Sequence, residues 1–247
     1  DTVAGFAYFG TFTFATGTGP AKIVKIRLSD FTRVASLTLN TGEDRLWSAV
    51  IDTASGFAYF GTDTGPARIV KVRLSDFTRV ASLALDANSA VSAVIDVGSG
   101  FAYFGTYTSP GVVAKVRLSD FKYVDSLVLN TGEDRPRIAV LDGSTGAAYF
   151  GTLASPGIIV KVRLSDLSRV GALKLNTGEY GLYSAVLVGS TGAAYFGTYT
   201  SPGIVVKVDT RATAQTVTAT KTETVTNQTT TTTRIISGLN RSAGVEV

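Results

Sequence analysis

The chain has 247 residues and contains no Cys, His or Met. This excludes disulfides, thiol chemistry, imidazole-based catalysis of the usual triad kind, and any nitrogen or sulfur metal site. The formal net charge of +4 is modest and the basic residues recur evenly, a solvated surface pattern and not a nucleic-acid footprint. No apolar run approaches a membrane span, the first residues do not read as a leader, and the missing initiator Met leads us to expect a processed product or numbering from an internal point.

In chain order, the first recognisable element is Ala-Tyr-Phe-Gly-Thr around Tyr8. The same pentapeptide returns around Tyr59, Tyr103, Tyr149 and Tyr195, at spacings of 51, 44, 46 and 46 residues. A near-constant period of about 40–50 residues marks a repeat architecture. Each repeat opens with a short apolar run such as Ser48-Ala49-Val50-Ile51, followed by a Gly/Ser turn and the Ala-Tyr-Phe-Gly-Thr strand. A second turn leads to a third strand such as Ile69-Val70-Lys71-Val72-Arg73. The turn at Ser75-Asp76 precedes a fourth strand, Arg79-Val80-Ala81-Ser82-Leu83. Short runs rich in Val, Ile, Leu, Tyr and Phe between Gly, Pro, Ser and Asp clusters read as strands joined by tight turns, and no window carries a helical apolar period. The expected fold is all-β: a β-propeller of about five four-stranded blades, or a segment of a larger one. Residues 1–210 form the repeats, with blade boundaries near 46, 91, 136 and 182.

At these residues the chain resembles the YVTN-type propeller repeats of prokaryotic surface proteins. Ala-Tyr-Phe-Gly-Thr takes the place of their Tyr-Val-Thr-Asn strand, and Ile-Val-Lys-Val-Arg-Leu-Ser-Asp-Phe-Thr-Arg-Val matches their third strand, turn and fourth strand. The resemblance covers residues 1–210 in pattern, without the YVTN letters. It implies the fold and an extracellular, cell-surface location, and it transfers no binding residue.

The first repeat departs from the others. Asp1-Thr2-Val3-Ala4-Gly5-Phe6 aligns with Asp52-Thr53-Ala54-Ser55-Gly56-Phe57, so the counterpart of Ala49-Val50-Ile51 is missing from it. It also carries an insertion, Phe12-Thr13-Phe14-Ala15-Thr16, whose two phenylalanines read as a contact patch. An innermost strand without a partner is costly. Arg234-Ile235-Ile236 resembles Arg137-Ile138-Ala139 and is the expected ring-closing strand.

Composition shifts after Thr210, and residues 211–247 read as a Thr-rich tail. Thr216 to Thr226 alternates so that every Thr falls on one face of an extended strand, and Thr229 to Thr233 are consecutive. The tail reads either as a stalk or as a strand that pairs with a sheet edge, its own or a neighbour's. Asn227 and Asn240 stand in the N-glycosylation pattern. Thr-rich stalks of this kind resemble those of archaeal surface proteins.

Strand order sends the loops after the second and fourth strands to one face. That face collects Phe12, Phe14, Asp63, Tyr107 and Tyr199 with Glu43, Asp44, Glu133, Asp134 and Glu179. Acids beside aromatics and Asn suit sugars, and the same residues also suit ordinary polar turns. Adjacent acids that merely recur lack the two distinct environments a glycosidase needs. We therefore expect no catalytic residue, no cofactor and no metal. On the third strand, Lys71 and Arg73 and their counterparts are expected to lie along apolar neighbours and meet turn carboxylates such as Asp76. The expected role is structural or adhesive, in a surface layer, filament or appendage, with other copies of the chain or other surface proteins as partners. The alternative is a carbohydrate-binding, lectin-like propeller. No nucleic acid and no membrane span are expected.

Overall fold

The computed structural model describes residues 1–12, 19–211, 217–225 and 228–236, the last two segments as backbone strands. Phe14, Asn227 and Asn240 lie outside the described residues. All regular structure among the described residues is antiparallel β.

The first sheet joins β1 (Phe6–Gly10), β2 (Lys22–Arg27) and β3 (Thr32–Thr38). The second joins β4 (Leu46–Asp52), β5 (Phe57–Thr62), β6 (Arg68–Arg73) and β7 (Thr78–Ala84). The third joins β8 (Ala90–Asp96), β9 (Phe101–Thr106), β10 (Val112–Arg117) and β11 (Lys122–Val128). The fourth joins β12 (Pro136–Asp142), β13 (Ala147–Thr152), β14 (Ile158–Arg163) and β15 (Ser168–Lys174). The fifth joins β16 (Leu182–Val188), β17 (Ala193–Thr198), β18 (Val205–Asp209), β19 (Val217–Val225) and β20 (Gln228–Ile236). The chain divides into two compact units, Asp1–Arg137 and Ile138–Val247.

In the first unit the Tyr-Phe pair explains how the repeats stack. Successive strand residues point to opposite faces. On β5, Ala58 and Phe60 pack with Ile23 of the first sheet, whereas Tyr59 packs with Phe104 of the third. Tyr59 and Phe60 are each 1% exposed, and burying each ring contributes about 2–3 kcal/mol. The glycine that follows is sterically required. A Cβ on Gly61 would stand 2.7 Å from Ala90 O and 2.8 Å from Ala90 Cβ. That space lets Ser48 Oγ donate to Ala90 O at 2.8 Å, and Ser92 Oγ makes the equivalent bond to Pro136 O at 2.6 Å beside Gly105.

The turn between third and fourth strands places a bulky residue in the left-handed region: Phe31, Phe77 and Phe121 have φ of 55°, 54° and 52°. Such backbone costs about 1–3 kcal/mol. At Phe77 and Phe121 ring packing onto the preceding repeat offsets it, with Phe77 on Tyr8 and Phe121 on Tyr59, each at 5.8 Å between centroids, while Phe31 in the first repeat is 79% exposed. The paired cations of the third strand divide their roles. Arg73 reaches Asp76 at 2.8 Å, as Arg27 reaches Asp30. Lys71 instead lies 4.0 Å from the centre of the Phe57 ring, which corrects the expectation that both cations meet a turn carboxylate. The lysine stem follows the apolar sheet and brings its ammonium over the ring face.

The second unit repeats the scheme, with Tyr149, Ile159 and Leu175 packed against Phe196, Val206 and Val208. Its fifth sheet includes two strands of the tail. Arg234, Ile235 and Ile236 pair with Ala219, Thr218 and Val217, so they lie in β20 against β19. Among the described strands β1 has β2 as its one neighbour. The physical reason is local: β19 pairs with β18, through Val205↔Thr222 to Lys207↔Thr220, and a short reversal folds β20 onto it. Thr210 anchors the start of the tail. It is 1% exposed, and its hydroxyl shares its one proton between Asp142 Oδ2 at 2.6 Å and Gly192 O at 2.8 Å. Its carbonyl accepts from Tyr149 OH at 2.9 Å.

Candidate functional site

The turn that leads from one repeat into the first strand of the next is closed by its own glutamate. Glu43 Oε2 accepts the Asn40 N–H at 3.0 Å, and the same bond joins Glu133 to Asn130 and Glu179 to Asn176. Glu43, Glu133 and Glu179 are 2%, 4% and 4% exposed. They therefore leave the candidate contact face, because a short turn offers amide donors that draw the carboxylate inward. Arg79 completes the site at Glu43, donating through Nε to both oxygens at 3.0 and 2.8 Å and through Nη2 to Oε1. Burial pushes the Glu43 carboxyl up, but the Arg79 and Asn40 hydrogen bonds and the Arg79 charge outweigh it and hold it below its ordinary value.

The aspartates of the face are divided. Asp63 accepts from Ser89 Oγ at 2.5 Å and lies 3.6 Å from Arg45 Nε, while its carbonyl accepts from Arg45 Nη2 at 2.7 Å. Asp134 accepts from Ser109 Oγ at 2.9 Å. Asp44, half-buried, has one oxygen, Oδ1, that is buried without a hydrogen-bond partner among the described residues.

The aromatics gather in each unit. In the first, Phe12 stacks on Trp47 at 5.1 Å and 17°, and Trp47 meets Tyr107 at 6.5 Å. The Arg137 guanidinium lies 3.3 Å from the Trp47 ring centre, and that of Arg135 lies 4.9 Å from the Tyr107 centre. In the second unit Tyr199, 73% exposed, packs on Tyr183 at 5.1 Å with Tyr180 also exposed.

Tyr180 is one of the aromatics that the sequence places on the loop face, whereas Trp47, Arg45, Arg135, Arg137 and Tyr183 were not singled out from it. A signal for them is nonetheless present in it. Trp47, Val91, Arg137 and Tyr183 occupy one repeat position, the second residue of the first strand. Arg45, Ser89, Arg135 and Gly181 occupy another, two residues earlier, with φ of 51°, 50°, 53° and 61°. The glycine in the last copy flags a left-handed position that the other copies fill with side chains. Among the described residues no group of three or more acidic side chains is placed to hold a metal ion.

Neither a protein-family model nor a curated protein matches the sequence. Among solved structures the chain is similar to Kuenenia stuttgartiensis hydrazine synthase, with a TM-score of 0.64 at 10% identity, over 89% of this chain and 61% of that one. The chain spans less than two thirds of that neighbour. At this identity the likeness shows the fold alone, an all-β repeat architecture of the β-propeller type.

Proposed function

We propose that the chain is an extracellular structural or adhesive module of a cell-surface layer, filament or appendage, acting through assembly with further copies of itself or with other surface proteins. In this reading the five sheets are five blades, with β19 as the fourth strand of the last. The observation that carries it is β20. This strand continues the fifth sheet past its fourth strand and pairs with β19 alone among the described strands. Such an edge offers a row of backbone donors and acceptors that templates the addition of another strand. The acids of the turn face support a scaffold over an enzyme, since Glu43, Asp63 and Asp134 are engaged in holding turns and strands together. The YVTN-like repeat pattern and the Thr-rich tail support the surface location.

The test is the mass in solution, by light scattering, of the full chain and of a chain ending at Arg211, which keeps the Thr210 anchor. Assembly of the full chain with a monomeric truncated chain supports the reading; two monomers oppose it.

A second reading, a carbohydrate-binding propeller, is favoured by the exposed aromatics. Tyr107, Tyr180, Tyr183 and Tyr199 are between 38% and 73% exposed and stand at the same end of their repeats. Aromatic faces of this kind take the C–H face of a sugar ring.

A further inference from the structure

The repeats of the first unit vary around a constant core. Their cores keep Ala-Tyr-Phe-Gly-Thr and Leu-Ser-Asp unchanged, while three neighbouring positions vary among the copies. These are the residue after the pentapeptide (Phe12, Asp63, Tyr107), the left-handed residue (Arg45, Ser89, Arg135) and the second residue of the first strand (Trp47, Val91, Arg137). Backbone bonds draw the first two sets together, from Asp63 N to Arg45 O at 2.8 Å and from Tyr107 N to Ser89 O at 2.9 Å. A left-handed backbone at three non-glycine residues is costly, and such strain clusters where side chains are aimed for use. The repeats therefore keep the strand that stacks them, and the positions where these side chains meet are among those that vary.

We infer that the cluster of Trp47, Tyr107, Arg135 and Arg137 binds a carboxylate-bearing sugar, a uronic acid unit of an acidic polysaccharide. The inference rests on the carbohydrate-binding reading above. A guanidinium over a ring face keeps its N–H groups in its own plane, so stacking does not consume them. Arg135 makes no ion pair among the described residues, and its guanidinium is held on Tyr107. It thus presents a forked donor beside the exposed Tyr107 ring, 38% accessible. A carboxylate meets the fork and the pyranose C–H face meets the ring. The charge pattern favours one acidic sugar over a phosphate chain. Tracking a nucleic-acid backbone needs a row of cations. In this unit Arg27, Arg73 and Arg117 are taken by Asp30, Asp76 and Asp120, Arg79 by Glu43, and Arg45 by Asp63. The acids near the cluster are occupied or turned inward: Asp63 by Arg45 and Ser89, Asp134 by Ser109, with Asp44 half-buried.

Trp47 is the sole tryptophan of the chain, so its emission reports this cluster directly. The experiment titrates the full chain with tetragalacturonate and with a neutral galactose tetramer, reading Trp47 fluorescence alongside calorimetry. A saturable change with the acidic tetramer alone is expected. Arg135→Gln should weaken it by about tenfold, the worth of one charge-assisted hydrogen bond, while Arg73→Gln leaves it unchanged. Far-UV circular dichroism confirms that both variants fold. Equal binding of both tetramers overturns the acidic specificity and leaves the carbohydrate reading standing. Calorimetric binding of the acidic tetramer with Trp47 silent and Arg135→Gln unaffected overturns the site. No heat from either tetramer overturns both.

Discussion

Arg79 clamps Glu43 through Nε at 3.0 and 2.8 Å although 36 residues separate them. The carboxylate closes the turn that enters the second sheet, and the guanidinium comes from that sheet's last strand, so one bond pair ties the turn to the far edge of the repeat. Glu43→Gln should cost about 2 kcal/mol of stability, because it leaves a partly buried guanidinium without its charge partner. Glu179 has Asn176 Nδ2 as its side-chain donor, at 3.2 Å to each oxygen. Glu179→Gln should therefore cost about 1 kcal/mol or less. Urea unfolding of the two variants checks the contrast.

Acid should act through the same pair. The folded Glu43 carboxyl lies below its ordinary value of 4.5, so it contributes stability that is present above that pH and lost as pH falls through the folded value. Wild type should lose stability more steeply than Glu43→Gln below pH 4.5, measured as the urea midpoint against pH. Parallel curves would contradict this.

At alkaline pH the sign reverses. Burial, with a smaller contribution from Asp52, pushes Tyr59 up to about 12. Burial also pushes Tyr103 up to about 12, against an opposing Ser99 hydrogen bond and with the Asp96 charge adding to it. Stability from keeping these phenols neutral is present below the ordinary value of 10.0 and lost as pH rises through the folded values. Absorbance titration should show ionisation near pH 12 coinciding with unfolding, and Tyr59→Phe should remove part of that amplitude.

Gly61→Ala should destabilise the first unit by about 3 kcal/mol, since its Cβ would meet the Ala90 carbonyl at 2.7 Å, backbone that cannot step aside. Gly143→Ala serves as the control, with nothing within 4 Å and no left-handed φ. It should be neutral or stabilising by about 0.5 kcal/mol. Thermal melts of both separate the steric cause from chain entropy.

Thr210→Val removes a hydroxyl held by Asp142 and Gly192, and Tyr149→Phe removes the donor to the Thr210 carbonyl. Each should cost about 1–2 kcal/mol in the second unit. Because they share Thr210, the double variant should cost less than the sum, read as a double-mutant cycle.

The strands were legible because their signals are redundant. Ala-Tyr-Phe-Gly-Thr appears five times, and alternation of Tyr and Phe on a doubly buried strand leaves one register. The role of Glu43 was not legible, since an acid in an Asn-Thr-Gly turn reads as solvent-facing until the Asn40 amide and Arg79 are seen to enclose it. Phe12 and Tyr107 were named from the sequence, but Trp47 escaped because it sits at a bulge, where the ladder shifts between Leu46 and Ser48 in the second sheet and period-two reasoning fails. The pairing of the tail's final strand with β19 was not legible from side-chain likeness to the repeats, because backbone pairing is indifferent to side chain.

Assembly through β20 is tested most directly by residue-resolved amide hydrogen exchange over residues 228–236, in the full chain at high and at low concentration. The account predicts that at high concentration, where the chain assembles, the β20 amides turned away from β19 become protected. They should exchange rapidly once dilution gives monomer. Fast exchange of these amides in an intact assembly would contradict it and place the contact elsewhere on the chain.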